Sequence, residues 1–198
     1  FATSQERMSG FLEPKLSYSS DGLDFMIPYY QVISDKSDIT IAVRNISDRG
    51  AGLEGNVRNL HGESNNLRNI DLFYFNNDKE HLNNYPAEPK SRWAFGIRDT
   101  FGKKENIWMT VDWAKTSDSL VLRDIPGDIT SIGNQRKQNL KQNIAINGAF
   151  RNIKIKISQE GYQTLNPLLT NGYKKAPSID IEYFNKFKKI SIREHLNI

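Results

Sequence analysis

The chain has 198 residues, of which 37% are hydrophobic, and its 27 lysines and arginines against 23 aspartates and glutamates give a formal net charge of +4. It contains no cysteine, which excludes a disulfide framework, a zinc-thiolate site and a thiol nucleophile. No apolar run reaches the roughly 20 residues that a membrane-spanning helix needs. The length suits one sizeable core. We therefore expect a single β-rich domain over residues 1–198, with residues 1–22 as a helix remnant or an extended arm.

The charge is unevenly distributed along the chain. From Gly133 to Ile198 there are twelve basic and four acidic residues, a net charge of +8, so the first 132 residues have a net charge of −4. Such asymmetry is typical of a surface for an anionic partner, or of one end of a subunit that meets the acidic end of its neighbour. The simpler interpretation is a solvated basic face.

The first part of the chain predicts strands separated by polar loops. Leu23–Ile33 is apolar and aromatic, and Pro28 inside it favours an edge strand or two short strands with a kink. Ser37–Ser47 alternates between apolar and polar residues, which indicates a half-buried strand. Asp48–Asn69 is rich in glycine and asparagine and predicts a long loop, with at most a short strand near Leu53–Leu60.

The middle of the chain continues this pattern. Ile70–Phe75 predicts a strand, and Asn76–Ser91 predicts a loop because it is polar and contains two prolines. Arg92–Trp113 alternates on both sides of a turn around Phe101–Lys104, which predicts a hairpin. Ser119–Asp124 predicts a short strand that ends before Pro126 and Gly127.

The clearest hairpin signal lies in Gln138–Ser158. Asn147-Gly148 is the dipeptide that tolerates positive φ at both centres of a type I′ turn, and alternating residues flank it. A two-residue loop there would place Lys141 opposite Lys154. One face of this hairpin is apolar and is expected to cover a core: Leu140, Ile144, Ile146, Ile153, Ile155 and Ile157. The other face is polar and basic: Asn139, Lys141, Asn143, Asn152, Lys154 and Lys156.

The remainder adds a loop over Thr164–Lys175 and a strand over Ser178–Phe184. Strands recur every 12 to 25 residues, and no stretch has a convincing helical period. This pattern predicts an all-β, mostly antiparallel domain of the β-sandwich or jelly-roll type, with long loops and little helix.

Motifs for catalysis or cofactor binding are weak. Residues 50–55 (GAGLEG) match the dinucleotide-binding pattern, but no helical segment follows, and we interpret them as a flexible glycine loop. Asp78 with Glu88 and Lys90 has the spacing of a metal-dependent nuclease, yet nearby prolines argue against the strand that such a site needs. Asp78, Glu80 and His81 are also candidate oxygen-rich metal ligands. We expect no enzyme, no cofactor and no metal.

Four residues are the predicted interaction residues: Lys141, Lys154, Lys156 and Trp108. Like charges placed opposite each other across a sheet are unfavourable, so an acidic partner would relieve the Lys141–Lys154 pair. Nucleic acid ranks lower because the region lacks aromatic residues interleaved with the basic ones. Trp108 alternates away from the apolar residues of its strand and is a separate candidate for an exposed aromatic contact, such as a glycan.

Two fragments resemble minor type IV pilins and pseudopilins. Ser4–Phe11 (SQERMSGF), followed by Ser20–Phe25 (SDGLDF), is similar to the segment after the long N-terminal helix of those proteins. Thr116–Arg123 (TSDSLVLR) is similar to the same strand. These fragments cover about a tenth of the chain. The resemblance implies a non-enzymatic head on a filament tip or secretion pseudopilus.

Together these observations predict a structural or adhesive subunit of an extracellular filament, appendage or surface assembly. Its partners would be copies of itself or other assembly subunits, and its location would be extracellular or at the cell surface. Three alternatives remain at this point: a capsid or shell jelly roll, a carbohydrate-binding β-sandwich that uses Trp108, and a metal-dependent nuclease.

Overall fold

The structure is a computed structural model that describes residues 7–62, 66–102, 106–130, 132, 138–169, 172–184 and 191–197. Nearly all of it is antiparallel β-sheet, so the prediction of an all-β fold with little helix is confirmed. The two helices are short: α1 (Lys79–Asn84) and α2 (Val121–Asp124). The strands are β1 (Gly10–Phe11), β2 (Lys15–Ser19), β3 (Gly22–Ser34), β4 (Ser37–Ile46), β5 (Gly50–His61), β6 (Asn66–Phe75), β7 (Arg92–Gly102), β8 (Ile107–Thr116), β9 (Asn139–Phe150), β10 (Ile153–Thr164), β11 (Tyr173–Lys174), β12 (Ser178–Phe184) and β13 (Ser191–Asn197).

The strands follow one another through a single sheet in almost their chain order. From β3 to β10 each strand pairs with the next, and β12 and β13 extend the sheet beyond β10. The short strands β1 and β2 both pair with β3, and β11 pairs with β10. Because side chains alternate along each strand and paired residues share a face, the sheet has two continuous faces from β3 to β12.

Pro28 lies where the partner of β3 changes from β2 to β1. β2 pairs with β3 as far as Met26, and β1 pairs with it at Tyr29 and Tyr30. Between them the backbone N–H of Leu12 donates to the carbonyl oxygen of Pro28 at 2.9 Å. Proline has no N–H to offer a neighbouring strand. The break that we expected in β3 therefore occurs in its partner, while β3 itself runs unbroken for 13 residues.

The β9–β10 turn lies four residues after its predicted position. It is formed by Arg151 and Asn152, and Arg151 has a positive φ of 48°. The predicted Lys141–Lys154 pair is therefore wrong, since Lys154 pairs with Ala149 and Lys141 with Tyr162. Residues 147 and 148, predicted as the turn, extend β9 instead, where they pair with β8 as well as with β10.

The predicted loop over Asp48–Asn69 is wrong, because the segment holds the whole of β5 and the start of β6. Close packing against β6 explains why one of the glycines of this segment, Gly52, is present. A Cβ at Gly52 would lie 2.2 Å from the ring of the buried Phe75 on β6. Gly50, with φ of 122°, sits at the start of the strand. The GAGLEG segment is thus a strand, neither a flexible loop nor the entry to a nucleotide-binding helix.

Ser119–Asp124, predicted as a strand, contains α2 instead. Val121 and Leu122 are both buried, and consecutive buried side chains do not fit the two-residue period of a sheet. The carboxylate of Asp118 accepts the N–H of Leu120 at 2.9 Å, and Asp124 N donates to Leu120 O at 2.9 Å. The predicted loop over Asn76–Ser91 likewise contains a helix, α1.

The N-terminal segment is extended as far as the structure describes it. Residues 7–22, which we expected as a helix remnant or an arm, contain β1 and β2 and no helix, while residues 1–6 lie outside the described residues. Neither α1 nor α2, the helices of the described residues, has the length and hydropathy to cross a membrane.

A small apolar core lies under α2, on one face of the sheet. Phe73 and Phe75 stack there with their ring centroids 5.2 Å apart. The buried members of this core are Ile46, Phe73, Phe75, Ala94, Val121, Leu122, Ile125, Ile132, Leu140 and Leu165. The connection between β8 and β9 thus folds back and covers this part of the sheet.

Candidate functional site

The two faces of the sheet differ in chemistry, and the apolar one is exposed. On β4, Ile41 and Val43 are 44% and 58% exposed, whereas Ala42 and Arg44 between and beside them are 0% and 7% exposed. We call the face of Ile41 and Val43 the outer face and the face of Ala42 and Arg44 the inner face. The strand pairings carry the outer face across the sheet, and its exposed large apolar residues include Leu23, Phe25, Leu53, Leu72, Tyr74, Ile107, Ile144, Ile146, Ile153, Ile157, Ile181 and Tyr183.

This arrangement corrects the expected role of the β9–β10 hairpin. Its isoleucines were expected to cover a core, but Ile144, Ile146, Ile153 and Ile157 are exposed, and only Leu140 of that set is fully buried. Alternation identifies the two faces of a strand, but it does not state which of them the protein covers.

The inner face buries charged side chains in place of apolar ones. Arg44 donates to both oxygens of Asp24, at 2.9 and 2.6 Å, and to Glu54 at 2.7 Å. Burial alone would lower the pKa of Arg44, but the hydrogen bonds and charges of Asp24 and Glu54 outweigh that effect and raise the pKa. Arg44 therefore stays charged and joins three neighbouring strands, β3, β4 and β5.

Glu54 also holds the β8–β9 connection against this face. Its second oxygen accepts the backbone N–H groups of Asp128 and Ile129, at 2.9 and 3.1 Å. Arg44 donates in addition to the carbonyl oxygen of Pro126 at 2.8 Å. Charge-assisted hydrogen bonds to backbone groups are among the stronger ones in proteins. The connection after α2 is thus fixed by two buried charges.

A second network surrounds Arg92, which is fully buried. Its Nε and Nη2 donate to the two oxygens of Asp118, at 3.0 and 2.7 Å, and its Nη1 donates to Asp78 at 2.8 Å and Asp124 at 3.1 Å. Arg49 donates to Asp78 from the other side, at 3.1 and 3.2 Å. Burial would lower the pKa of Arg92, but the hydrogen bonds and charges of its partners raise it.

The outer face has polar or aromatic residues at both ends of its strands. At the end of the sheet where β5 connects to β6 and β7 connects to β8, Asp99 accepts from Arg68 at 2.5 Å and lies 2.5 Å from Nε2 of His61. Burial would raise the pKa of Asp99, but these hydrogen bonds outweigh it and the pKa is lowered. At the opposite end, Phe95 and Trp113 contact each other with ring centroids 6.0 Å apart.

All four predicted interaction residues lie on the inner face. Lys141 forms an ion pair with Asp112 at 3.2 Å, and Lys156 with Glu160 at 3.8 Å. The β10–β12 register places Lys154 opposite Glu182 and Lys156 opposite Asp180. Trp108 is half-buried and pairs with Asn147. The expected like-charge repulsion is therefore absent at these lysines, and their role in an interaction stays a prediction.

The candidate nuclease residues are occupied by other contacts. Asp78 is buried, caps α1 through the N–H of His81 at 3.1 Å, and contacts Arg49 and Arg92. Glu88 lies in a loop and contacts Nε2 of His81 at 2.9 Å. Within the described parts of the chain, no group of three or more histidines, aspartates and glutamates is placed to hold a metal ion.

In sequence, the chain is similar to a part of bacterial LPS-assembly proteins. It is 28% identical over 186 residues to LPS-assembly protein LptD of Pseudomonas aeruginosa (strain LESB58), an alignment that covers 93% of the chain and 19% of that protein. It is 30% identical over 181 residues to LptD of Neisseria gonorrhoeae, which covers 89% of the chain and 21% of the relative. The chain thus spans about a fifth of the length of these relatives. No family model matches it.

This similarity overturns the pilin resemblance. That resemblance rested on short fragments over about a tenth of the chain, whereas the similarity to LptD covers about nine-tenths of it. The predicted role as a structural or adhesive subunit of an extracellular filament, appendage or surface assembly is wrong, and so is its predicted partner set of copies of itself or other subunits of such an assembly. The capsid, carbohydrate-module and nuclease alternatives receive no support from these relatives. The name of these relatives describes assembly and no catalytic reaction, and it is compatible with a place in the bacterial cell envelope.

Sequence reasoning missed the buried arginines. On β4, Arg44 alternates with the outer-face residues Ile41 and Val43, and on β5, Glu54 directly follows the outer-face residue Leu53. This alternation was the signal in the sequence that could have found them. Apolar residues ordinarily mark the covered face of a strand, and Glu54 lies in a segment that the sequence predicts as a loop, so the sequence predicts burial of neither charged side chain.

Proposed function

We propose that this chain is a non-enzymatic part of an LPS-assembly protein in the bacterial envelope. Its outer face lies against the acyl chains of a lipid bilayer, and its inner face surrounds hydrophilic material. The observation that carries the proposal is the inverted burial of the sheet, with apolar side chains exposed on one face and ion pairs buried on the other. The similarity to LptD over about nine-tenths of the chain supports it.

The extent of the outer face supports contact with lipid. Soluble monomers rarely expose contiguous apolar patches of more than a few hundred Å². Here exposed apolar side chains recur on β3 to β6, on β8 to β10 and on β12, and the half-buried Trp93, Phe95 and Ile97 continue this face on β7. The strands from β3 to β10 have 10 to 13 residues each, and about 9–11 tilted residues are enough to cross the hydrocarbon core.

The ends of the outer face also fit a bilayer. In membrane proteins built of strands, aromatic residues gather where the hydrocarbon meets the headgroups, and side chains alternate between apolar outside and polar inside. Trp93, Phe95 and Trp113 lie on the outer face toward one end, and His61, Arg68 and Asp99 lie toward the other. The apolar part of the outer face is thus bounded by aromatic residues toward one end of the strands and by polar residues toward the other.

The inner face suits the hydrophilic part of an amphiphile. Lipopolysaccharide, as its name states, joins a lipid to a polysaccharide. Beside the two ion-pair networks lies a polar groove of about 620 Å³, whose lining includes Asp21, Asp24, Arg44, Arg49 and Arg123. Charged and hydroxyl-bearing linings offer the hydrogen-bond donors and acceptors that hydroxyl groups use.

The same substitution at two depths tests the proposal. Ile41, in the middle of β4, and Ile107, at the end of β8, are both exposed outer-face isoleucines. In a bilayer, arginine costs about 2–4 kcal/mol near the midplane and about 0–1 kcal/mol near the headgroups. We therefore expect Ile41→Arg to lower the free energy of unfolding in phosphatidylcholine vesicles much more than Ile107→Arg does.

In water the two variants should behave alike, because surface substitutions away from special features change stability by only about 0.5 kcal/mol. Equal effects of the two arginines in vesicles would contradict the proposal. So would a chain that stays in the aqueous fraction when vesicles are floated on a density gradient.

A further inference from the structure

The pairing of β8 with β9 stops before it reaches the last residues of β8 and the first residues of β9. It runs from Ile107–Gly148 to Trp113–Gln142, although β8 continues to Thr116 and β9 starts at Asn139. We call this opening the β8–β9 fork. Backbone N–H and C=O groups that lose their strand partner need another one.

Glutamine side chains take the place of the missing strand partner. The amide of Gln163 accepts from Thr116 N at 2.8 Å and donates to Thr116 O at 3.0 Å. Gln142 donates to the carbonyl oxygen of Ala114 at 3.2 Å. These bonds satisfy the backbone of β8 and hold the fork open, so that the opening is a built feature of the sheet.

A cavity of about 940 Å³ occupies this fork. Its lining includes Trp113 and Lys115 of β8, Gln142 and Ile144 of β9, and Lys174 of β11, and Glu160 of β10 contributes an acidic side chain. By alternation and strand pairing, the residues of β8, β9 and β11 in this lining belong to the outer face, and Glu160 belongs to the inner face. The cavity therefore opens at the end of the apolar face where Phe95 and Trp113 lie.

The two lysines of the fork differ from the other lysines described above. Lys141 and Lys156 form ion pairs with Asp112 and Glu160. Lys115 and Lys174, in contrast, have no carboxylate partner among the residues that the structure describes. An ammonium group is a compact charge with three donors, which suits a phosphate.

We propose that the β8–β9 fork binds the phosphate of an anionic lipid headgroup, with the acyl chain of that lipid along Ile144 and Ile146. Lys115 and Lys174, against the single carboxylate of Glu160, which already pairs with Lys156, give the fork a net positive charge that favours an anion. The continuity of the fork with the exposed Ile144 and Ile146 favours an anion that has an apolar part. This inference rests on the proposed function, because it places the outer face in a bilayer.

The test uses the full chain in phosphatidylcholine nanodiscs that contain a small fraction of brominated phosphatidylglycerol. Bromine quenches nearby tryptophans, so quenching of Trp113 reports the lipid at the fork, and a Trp113→Phe variant identifies its share of the signal. A lysine near an anionic membrane surface increases binding about fivefold. We expect phosphatidylglycerol to be enriched roughly tenfold or more at the fork over bulk lipid.

Charge-matched variants make the result specific. Lys115→Gln/Lys174→Gln should abolish the enrichment, and Lys115→Arg/Lys174→Arg should keep most of it. Lys79→Gln/Lys90→Gln removes the same charge from the β6–β7 connection and should leave it unchanged. Circular dichroism of each variant checks that the sheet is intact.

Three results would overturn the inference. One is equal enrichment in the Lys115→Gln/Lys174→Gln variant and the wild type. Another is an equal loss in the Lys79→Gln/Lys90→Gln control. The third is displacement of the lipid by millimolar inorganic phosphate at matched ionic strength, which would mean that the apolar contact contributes nothing.

A separate arm distinguishes this inference from the proposed function. If brominated phosphatidylcholine quenches the outer-face tryptophans but phosphatidylglycerol does so no better, the outer face meets lipid and only the fork site fails. If no brominated lipid quenches any tryptophan, the proposed function itself fails.

Discussion

Replacement of Arg92 by methionine tests how much the buried ion pairs stabilise the sheet. The variant would leave Asp118 without its guanidinium partner, while Asp78 would keep Arg49 and Asp124 would keep its 3.3 Å contact with Arg123. Removal of one partner of a buried ion pair typically costs about 3–5 kcal/mol. Domains have a free energy of unfolding of about 5–15 kcal/mol, so this change should remove about a fifth of it or more.

The assay is urea unfolding followed by tryptophan fluorescence, with wild type and variant in the same lipid or detergent. Arg92→Lys is the matched control, because it keeps the charge but loses the two-pronged contact with Asp118. We expect the lysine variant to fall between the wild type and Arg92→Met. A methionine variant within about 0.5 kcal/mol of the wild type would refute the reasoning, since that is the range of an ordinary surface substitution.

The pH dependence of the same variant gives a second reading of the Arg92 contact. Burial would raise the pKa of Asp118, but the hydrogen bonds and charge of Arg92 lower it below its usual value. A lowered carboxyl pKa contributes stability above the unfolded value of about 3.9, and that contribution is lost as the pH falls through the folded value. We therefore expect the difference in unfolding free energy between wild type and Arg92→Met to shrink from pH 7 to pH 3. A constant difference would show that Asp118 does not carry the effect.

Two further predictions concern the packing between β5 and its neighbours. Gly52→Ala places a Cβ 2.2 Å from the Phe75 ring, and overpacking of this kind should lower the free energy of unfolding by about 1–3 kcal/mol in the same urea assay; an unchanged midpoint would contradict the close contact. Glu54→Gln removes the charge that accepts the amides of Asp128 and Ile129, so hydrogen exchange at these two amides should accelerate roughly tenfold, and unchanged exchange would mean that Glu54 does not hold the connection.

Much of the strand pattern could be predicted from the sequence, because alternation is a local property. The strands of Leu23–Ile33, Ser37–Ser47 and Ile70–Phe75 and the hairpin of Arg92–Trp113 correspond to β3, β4, β6 and β7–β8, and the predicted strand residue Ser47 lies outside these limits. The glycines and asparagines of β5 hid that strand, because Gly52 is required by the ring of Phe75 on a neighbouring strand and not by a turn.

The turn between β9 and β10 shows how tertiary pairing overrides a local signal. Asn147-Gly148 is a strong local turn sequence, but both residues pair with β8 on one side and β10 on the other. A Cβ at Gly148 would come within 2.8 Å of the Phe150 ring, so here too glycine permits close packing within the sheet. The turn moves to Arg151 and Asn152, which lie beyond Gly148, the last residue of β9 that pairs with β8.

The candidate site could be predicted only in part, for a different reason. Lys141, Lys154 and Lys156 were correctly placed on the face opposite the isoleucines, but the acidic residues that face Lys141 and Lys154 come from strands outside the hairpin, whereas Glu160, the partner of Lys156, lies within it. Asp112 lies on β8, and Glu182 is on β12. The spacing of residues within one hairpin does not predict contacts between that hairpin and other strands.

The central claim is that the outer face meets lipid and the inner face meets water. The most direct test is a measurement of the environment at one position of β4 on each face. The chain has no cysteine, so Val43→Cys and Thr40→Cys each provide a single site for a nitroxide spin label, the first on the outer face and the second on the inner face. In vesicles, we expect the label at position 43 to collide more often with oxygen, which concentrates in hydrocarbon, than with a water-soluble nickel chelate. The label at position 40 should show the opposite preference. A label at position 43 that prefers the nickel chelate would contradict the account, because the apolar face would then be in water.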